Sequence, residues 1–291
     1  MPSDRHLPAR HLPAGCATRP VIRVERGRTS EDDDCLAEEV PVAMHFDGEP
    51  FAVMMCTPDH LEDFARGFAL TEGRVTSIDD IHSMEINQVL EGITLNLTTR
   101  AASKPVGADP VGDSSSPNLH LPEPNSPRNL PGRSGCGICG SRELEDVVRH
   151  PNPVGAGPRI TAQAIELALE SLRTAQPINA FTGSVHAAAW ALPDGSLITA
   201  REDVGRHNAL DKLIGALLAA RIDTQNGFVV LTSRASYEMV TKAAVAGITI
   251  VVAISAPTAL AVHLAADCGV TLVGFARPGR FNIYTRPQRI L

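Results

Sequence analysis

Three short apolar segments in the C-terminal half limit the possible folds of this 291-residue chain most strongly. They are residues 228–232, 248–254 and 270–275, and their length is typical of strands that are buried on both faces. Helical spacing of apolar residues in 237–246 and 258–266 predicts that helices separate them. The alternation predicts an α/β domain whose largely parallel sheet is covered on both faces. The same domain is predicted to hold helices over 161–174 and 207–221 and strands over 184–192 and 196–200.

Each of the three apolar strands is followed directly by hydroxyl or arginine residues. They are Ser233 and Arg234 after the first strand, Ser255 and Thr258 after the second, and Arg277 and Arg280 after the third. Hydroxyls, arginines and free amides at helix N-termini are suited to an anionic, phosphate-bearing ligand, and ligands of parallel sheets bind beyond the carboxyl ends of the strands. At a single strand, helix capping explains such residues better. Three neighbouring strand ends favour a binding site.

Residues 201–208 form a second polar cluster, between a predicted strand and a predicted helix. The cluster holds two arginines, two carboxylates, an asparagine and His207. Taken alone, Asp203 reads as a helix cap and His207 as an ordinary residue at a helix start, but the density of donors favours a site. His186 lies on a predicted strand, where a lone histidine is more often part of the core than a ligand. It becomes a candidate if it faces His207.

Cys136 and Cys139 form a CxxC pair flanked by three glycines, Gly135, Gly137 and Gly140. Four interpretations are open: half of a zinc site completed by distant histidines, a dithiol redox pair, a nucleophilic or sulfur-carrying thiolate, and two inert cysteines in a flexible loop. A helix is predicted to begin after Ser141. The positive end of its dipole would favour a thiolate at Cys139.

A zinc deaminase is disfavoured by the order and identity of its expected motif. Such enzymes combine H-x-E with a later P-C-x-x-C, and the glutamate acts as general acid and base. This chain has Ala188 where the glutamate is required, and its CxxC lacks a preceding proline and comes before His186.

The N-terminal half divides into segments of different composition. Residues 1–37 are polar and are predicted to be a disordered tail, and 38–100 a small α+β subdomain. In that subdomain a hairpin is predicted around Asp47-Gly48, and a helix capped by Thr57 with Pro58 at its first position. Residues 101–140 form a mobile linker that carries the CxxC, and 141–291 the α/β domain that would bind the ligand.

Composition excludes several classes of protein. The formal net charge of −7 argues against general binding to nucleic acid or to an anionic membrane. No apolar run reaches the roughly 20 residues of a membrane span, and no secretory signal is recognisable. Six cysteines without an export signal predict free thiols and a cytoplasmic location.

Five motifs together resemble the formate dehydrogenase accessory sulfurtransferases, the FdhD/NarQ family. They are Gly135-Cys136-Gly137-Ile138-Cys139-Gly140, Thr182-Gly183-Ser184-Val185-His186-Ala187-Ala188, residues 201–212, Ser233-Arg234-Ala235-Ser236-Tyr237-Glu238-Met239-Val240 and Gly274-Phe275-Ala276-Arg277. The likeness covers roughly residues 40–285, and 201–212 is its most specific part. The insertion over about 101–132 departs from the shorter loop of the family.

The resemblance implies a sulfur carrier. It implies that a cysteine desulfurase delivers persulfide sulfur to Cys136, with Cys139 assisting. The sulfur would then pass to molybdenum in bis(molybdopterin guanine dinucleotide) before this substrate enters the catalytic subunit of formate dehydrogenase. The stretch that matches the cofactor-binding segment of the family is Phe275, Ala276, Arg277, Pro278, Gly279 and Arg280. The family also implies a layered domain similar to that of cytidine deaminases, and a homodimer.

Three hypotheses follow for the function. In the first, Cys136 carries the persulfide and Arg234, Arg277 and Arg280 hold the cofactor phosphates, with Ser233 beside them and with His186 and His207 lining the pocket. No permanently bound metal is expected. In the second, the protein is a chaperone that binds the guanine-nucleotide part of the cofactor without sulfur chemistry. In the third, it is a structural zinc protein.

Overall fold

The structure, a computed structural model, describes residues 12–100 and 151–291. Within these ranges it is a mixed α/β protein with a two-stranded, a four-stranded and a six-stranded sheet. The predicted linker 101–140, with Cys136 and Cys139, lies outside the described residues, as does the predicted helix start at Ser141.

The N-terminal hairpin corrects the prediction of a disordered tail over 1–37, as far as residues 12–37 are concerned. Strand β1 (Cys16–Glu25) pairs antiparallel with β2 (Arg28–Ala37) around a turn at Arg26 and Gly27, whose φ angles are 50° and 79°. Positive φ at both central residues is the geometry of the tightest hairpin turns. Most side chains on the hairpin are exposed, so its polar composition resembles that of a disordered segment.

The four-stranded sheet has the order β4-β3-β6-β5 and forms the small subdomain. Its strands are β3 (Val40–Phe46), β4 (Glu49–Cys56), β5 (Ile81–Val89) and β6 (Gly92–Thr99). The predicted hairpin at Asp47-Gly48 is confirmed, with φ angles of 54° and 85° at the turn. A 3₁₀ turn, Ile78–Asp80, precedes β5.

Helix α1 (Leu61–Thr71) begins later than predicted. Its N-cap position is His60, in the left-handed region at φ 52°, so the prediction that Thr57 caps this helix is wrong. Thr57 is fully buried, and its hydroxyl accepts a hydrogen bond from the Val204 amide instead. A tertiary contact therefore replaces the expected local one.

The six-stranded sheet has the order β12-β11-β10-β9-β7-β8. Its strands are β7 (His186–Ala191), β8 (Leu197–Asp203), β9 (Phe228–Leu231), β10 (Ile250–Ala253), β11 (Thr271–Arg277) and β12 (Arg280–Ile283). Only the neighbouring pairs β9–β10 and β10–β11 are parallel, and β7 is antiparallel to both β8 and β9. The expectation of a largely parallel sheet therefore holds for the centre alone, because the tight turns before β8 and β12 require antiparallel pairing.

Helices cover both faces of this sheet, as the α/β pattern predicts. They are α2 (Ala162–Thr174), α3 (Pro177–Thr182), α4 (Arg206–Ala219), α5 (Tyr237–Val245) and α6 (Ala259–Asp267), and the chain ends after a 3₁₀ turn at Pro287–Arg289. Helix α2 packs on one face; α4, α5 and α6 pack on the other, in a core shared with α1 and the four-stranded sheet. None of the helices in the described ranges combines the length and apolar character needed to cross a membrane.

Helices α1 and α4 join the two subdomains by an unusually close approach. A methyl group on Gly67 would overlap the carbonyl group of Asp211, and one on Gly215 would overlap that of Asp63. The two glycines therefore let the helix backbones touch, which fixes the start of α4 beside the end of β4.

Candidate functional site

The polar ends of the three parallel strands lie side by side. The Ile254 amide donates to the Leu231 carbonyl at 2.8 Å, and the Phe275 amide donates to the Ser255 carbonyl at 3.1 Å. A further bridge pairs Ala235 with Pro257. Residues 232–234, 255–257 and 275–280 therefore form one continuous border, which we call the strand-end edge.

The 275–280 segment presents a ring and two arginines at this edge. Phe275 is in the left-handed region at φ 53°, and it is 47% exposed although the next residue, Ala276, is buried. The Arg277 guanidinium donates to the carbonyls of Ala276 and Ile254, while Arg280 lies opposite Arg277 at the start of β12. Exposed cationic groups thus stand beside an exposed aromatic face.

Gly279 and Pro278 complete the turn between β11 and β12. Gly279 has φ 77°, and its amide donates to Oε1 of Glu166 on α2 at 3.0 Å. That bond ties the turn to the helix below it. Pro278 is exposed and contributes to the shape of the turn.

Ser233 and Arg234, both predicted to bind the cofactor, differ in orientation. Ser233 is 4% exposed, and its hydroxyl donates to the Arg234 carbonyl at 3.1 Å. Arg234 itself is exposed. Of the two, Arg234 offers a group to a ligand, while Ser233 shapes the loop.

His186 lies at the same edge because β7 runs antiparallel to β9. The Ala187 amide donates to the Thr232 hydroxyl at 2.8 Å, and His186 is paired with Asp203 of β8. Burial, followed by repulsion from Arg206 and His207, lowers the pKa of His186, and Asp203 only partly opposes this. His207 is therefore near enough to act on His186 electrostatically, and that the two imidazoles face each other stays a prediction.

His207 is 1% exposed in the first turn of α4. Its Nε2 lies 2.6 Å from Oε2 of Glu238, in the first turn of α5. Burial alone would raise the pKa of Glu238, but the hydrogen bond and charge of His207 outweigh it, and the pKa is lowered. The pair therefore connects the beginnings of two helices at the strand-end edge.

Most of the polar cluster at 201–212 is turned inward. Asp203 accepts hydrogen bonds from the amides of Thr57 and Gly205 at 3.0 and 2.7 Å and from Nδ2 of Asn208 at 3.0 Å. Nζ of Lys212 lies 2.7 Å from Asp203, and both side chains are 0% exposed. We call Thr57, Asp203, Asn208 and Lys212 the buried joint, since they link β4 to β8 and α4.

Two more residues of the cluster also have structural partners. Glu202 accepts hydrogen bonds from the amides of Ile178 and Asn179, both at 2.8 Å, and so caps α3. Arg201 pairs with Asp63 of α1 at 2.8 Å. Of the cluster that the sequence marked as a site, Arg206 and His207 are close enough to His186 to lower its pKa, and Asp203 is its partner on the neighbouring strand.

Sequence reasoning missed Glu238 and Arg206 as parts of this site. Glu238 belongs to a recognisable motif, but nothing in the sequence links it to His207. Arg206 is one of several donors in the cluster, and composition alone does not separate it from Arg201. The sequence signal that distinguishes them is position: Arg206 is at the first turn of a helix, whereas Arg201 is inside a strand.

The four described cysteines are all free. Burial raises the pKa of Cys56 well above its ordinary value and also raises that of Cys268. Burial, a hydrogen bond with Cys35 and nearby negative charges raise the pKa of Cys16 to about 11. Within residues 12–100 and 151–291, no three histidine, cysteine or acidic side chains are grouped so as to hold a metal ion.

The fold and the edge define a class: a mixed α/β protein with exposed arginines just beyond the carboxyl ends of parallel strands. The family model described as FdhD/NarQ matches residues 37–291. The chain therefore belongs to the FdhD/NarQ family.

Individual relatives agree with this assignment. A protein of Xanthomonas euvesicatoria named sulfur carrier protein FdhD is 47% identical over 97% of this chain and 95% of its own length. Its namesake in Cupriavidus necator is 44% identical over 94% of this chain and 90% of its own length. A solved structure from Desulfotalea psychrophila, described as that of a formate dehydrogenase accessory protein, superposes with a TM-score of 0.74 at 25% identity. It covers 95% of this chain and 100% of its own.

Proposed function

We propose that this protein is a sulfur carrier. It accepts persulfide sulfur from a cysteine desulfurase on Cys136 and passes it to molybdenum in bis(molybdopterin guanine dinucleotide), before that substrate enters formate dehydrogenase. The observation that carries the proposal is the strand-end edge, whose adjoining segments hold Arg234, Arg277 and Arg280, in a chain whose relatives bear the name of sulfur carriers. A cytoplasmic location, a homodimer and the cytidine-deaminase-like layering remain predictions.

The chemistry of the described cysteines supports assigning the sulfur to the CxxC pair. Thiolates, not thiols, attack sulfur, and a raised pKa leaves little thiolate at neutral pH. That disadvantage applies to Cys16, Cys56 and Cys268. This favours the glycine-flanked pair Cys136 and Cys139 as the carrier, with Cys136 as the persulfide and Cys139 as the assisting thiol.

With two thiols, the electrons that the sulfur transfer requires come from the protein itself, so no further reductant is needed for this step. The outer sulfur of the Cys136 persulfide leaves for molybdenum as sulfide, so it gains two electrons. Those electrons become available when the Cys139 sulfur bonds to the Cys136 sulfur as a disulfide. The two hydrogens of the persulfide and the thiol leave with an oxo ligand of the substrate as water.

The edge fits the nucleotide part of that substrate. Arginine donates paired hydrogen bonds to phosphoryl oxygens, which suits Arg234, Arg277 and Arg280 to the phosphates. The exposed ring of Phe275 offers a face on which guanine can stack, a contact worth about 1–3 kcal/mol per base in other proteins. Ala276, Pro278 and Gly279 hold that ring and the arginines in place.

Sulfur loading tests the proposal directly. The full-length protein is incubated with a cysteine desulfurase and cysteine, and the persulfide is located by mass spectrometry of intact protein and peptides. We expect loading on Cys136, loss of it in Cys136→Ala, and unchanged loading in the control Cys16→Ala. Equal loading of Cys136→Ala and wild type would refute the assignment to Cys136.

A cofactor-binding chaperone without sulfur chemistry is the second candidate. The observation that favours it is that the strand-end edge brings its arginines and histidines together without using any described cysteine. It requires that the double variant Cys136→Ala, Cys139→Ala still support formate dehydrogenase activity in a host that lacks the wild-type protein. Loss of that activity, with nucleotide binding intact, rejects the chaperone.

A further inference from the structure

Arg206 has a buried hydrogen-bond donor that the described residues around it do not satisfy. Its Nε is shielded from solvent and has no hydrogen-bond partner among residues 12–100 and 151–291. Its charge is close enough to His186 to lower the pKa of that imidazole. An arginine that repels a neighbouring histidine and leaves a donor unused is suited to an anion.

Two helix N-termini meet at the same place. Helix α4 begins at Arg206 with Gly205 at its N-cap position, and α5 begins at Tyr237 with Ser236 at its N-cap position. Neither cap residue makes a side-chain hydrogen bond to its helix. The ion pair between His207 and Glu238 joins the two first turns at 2.6 Å. Each helix contributes a partial positive charge and free amides at this end.

Ser236 provides a second unused polar group at this junction. Its hydroxyl oxygen is shielded from solvent and has no hydrogen-bond partner within the described parts of the chain. Gly205 keeps the start of α4 tight, since a methyl group there would lie 2.7 Å from Nδ2 of Asn208. Arg206 directly precedes His207 and Ser236 lies two residues before Glu238, so both unused groups flank the ion pair that joins the two helices.

Nearby negative charges do not neutralise this junction. Glu238 pairs with His207. Asp203 pairs with Lys212 and also accepts three hydrogen bonds, from the amides of Thr57 and Gly205 and from Asn208. Arg206 forms no ion pair within the described residues, and Asp203 only partly offsets the repulsion that Arg206 and His207 exert on His186.

We infer that Arg206, His186, Ser236 and the first turns of α4 and α5 form an oxyanion subsite, separate from the arginines of the strand-end edge. It takes an anionic oxygen group of the substrate, which is either a phosphoryl group of the nucleotide or an oxo ligand of the molybdenum. The subsite adds a binding site to the proposed function, and it rests on that function only for the identity of the substrate.

Isothermal titration of the full-length protein with guanosine, guanosine diphosphate, inorganic phosphate and molybdate tests the subsite. If it takes a phosphoryl group, Arg206→Gln weakens binding of guanosine diphosphate roughly tenfold to a hundredfold and leaves molybdate and guanosine unaffected. If it takes oxo-molybdenum, the same variant weakens molybdate binding and leaves the nucleotide unaffected. The control Arg173→Gln, an exposed arginine near the end of α2, should match wild type for every probe.

His186 supplies a readout that a structural role for Arg206 would not move. In the free protein, repulsion from Arg206 and His207 lowers the pKa of His186, and the charge of Asp203 raises it. A bound oxyanion offsets the repulsion, so the pKa of His186, followed by NMR, should rise on binding. Arg206→Gln should raise that pKa in the free protein and abolish the further rise. His186→Gln is the second variant and should weaken the same probe as Arg206→Gln.

The subsite is overturned if folded Arg206→Gln binds the nucleotide and molybdate within about twofold of wild type, or if wild type binds neither anion. The first result leaves the proposed function intact, because sulfur loading on Cys136 does not involve Arg206. Conversely, binding of anions by a protein that takes no sulfur on Cys136 would retain the subsite and reject the sulfur carrier.

Discussion

The buried joint and the oxyanion subsite both use residues of the stretch 201–212, but they treat polar groups in opposite ways. In the joint, Asp203 and Lys212 are fully buried and bind each other and the surrounding amides. In the subsite, Arg206 and Ser236 keep shielded groups without hydrogen bonds to the residues described. A dense polar motif can thus be structural for most of its length while one of its residues, Arg206, keeps a shielded donor that the described residues do not satisfy.

The contrast separates stability from binding. Buried polar groups that satisfy one another hold two elements in one arrangement, whereas unsatisfied ones cost free energy until a ligand arrives. Substitutions in the joint should therefore reduce the free energy of unfolding, and substitutions at the edge should reduce affinity.

The largest effect is expected for Lys212→Met. Removal of the ammonium leaves Asp203 charged, buried and without its cation, which should lower the free energy of unfolding by about 3–5 kcal/mol. Urea unfolding followed by circular dichroism measures it. The control is Arg221→Gln, whose pair with Asp79 is 2.8 Å long but 71% and 65% exposed, and which should change stability by less than about 1 kcal/mol. Equal effects of the two variants would contradict the structural role of the joint.

Local signals in the sequence predict much of the fold. The Asp47-Gly48 turn, the helix predicted over 161–174 and the three buried strands are all as expected, because each depends on residues that are adjacent in sequence. The hairpin β1–β2 is missed because Glu31 and its acidic neighbours are typical of a solvated, disordered segment. Their side chains are indeed exposed, but their backbone is paired as a strand.

Long-range partners explain the remaining errors. Thr57 looks like a helix cap, and its true partners, Asp203 and the Val204 amide, are far away in sequence. Glu202 looks like a site residue and instead caps α3, a helix too short to show apolar periodicity. The clustering of strand ends is predictable because parallel strands place their ends together. The inward orientation of 201–212 is not predictable, since it depends on packing against β4 and α1.

An intermediate effect is expected for Glu238→Gln, which lies between the two regions. The pKa of Glu238 is lowered in the folded state from its ordinary 4.5, so its carboxylate stabilises the fold above that pH and loses this contribution as pH falls through the lowered folded value. We expect a loss of about 1–3 kcal/mol at pH 6, since a charge-assisted hydrogen bond to buried His207 is removed.

Denaturant unfolding at several pH values distinguishes this bond from a general carboxylate effect. The difference between wild type and Glu238→Gln should shrink as pH falls below about 4.5. Glu62→Gln, an exposed carboxylate in the first turn of α1, is the control and should show a small difference at pH 6. A difference for Glu238→Gln that stays constant with pH would mean that the charge of Glu238 contributes nothing.

The smallest effect on stability, and a clear one on binding, is expected for Arg234→Gln. Because Arg234 is exposed, its loss should change the free energy of unfolding by less than about 0.5 kcal/mol. If it donates to a phosphoryl group, affinity for guanosine diphosphate should fall roughly tenfold, whereas affinity for guanosine should stay the same. The same two titrations of Lys212→Met complete the comparison. This variant of the buried joint should retain wild-type affinity at a temperature where it is folded. If Arg234→Gln lost stability and kept its affinity, the division between a structural joint and a binding edge would be wrong.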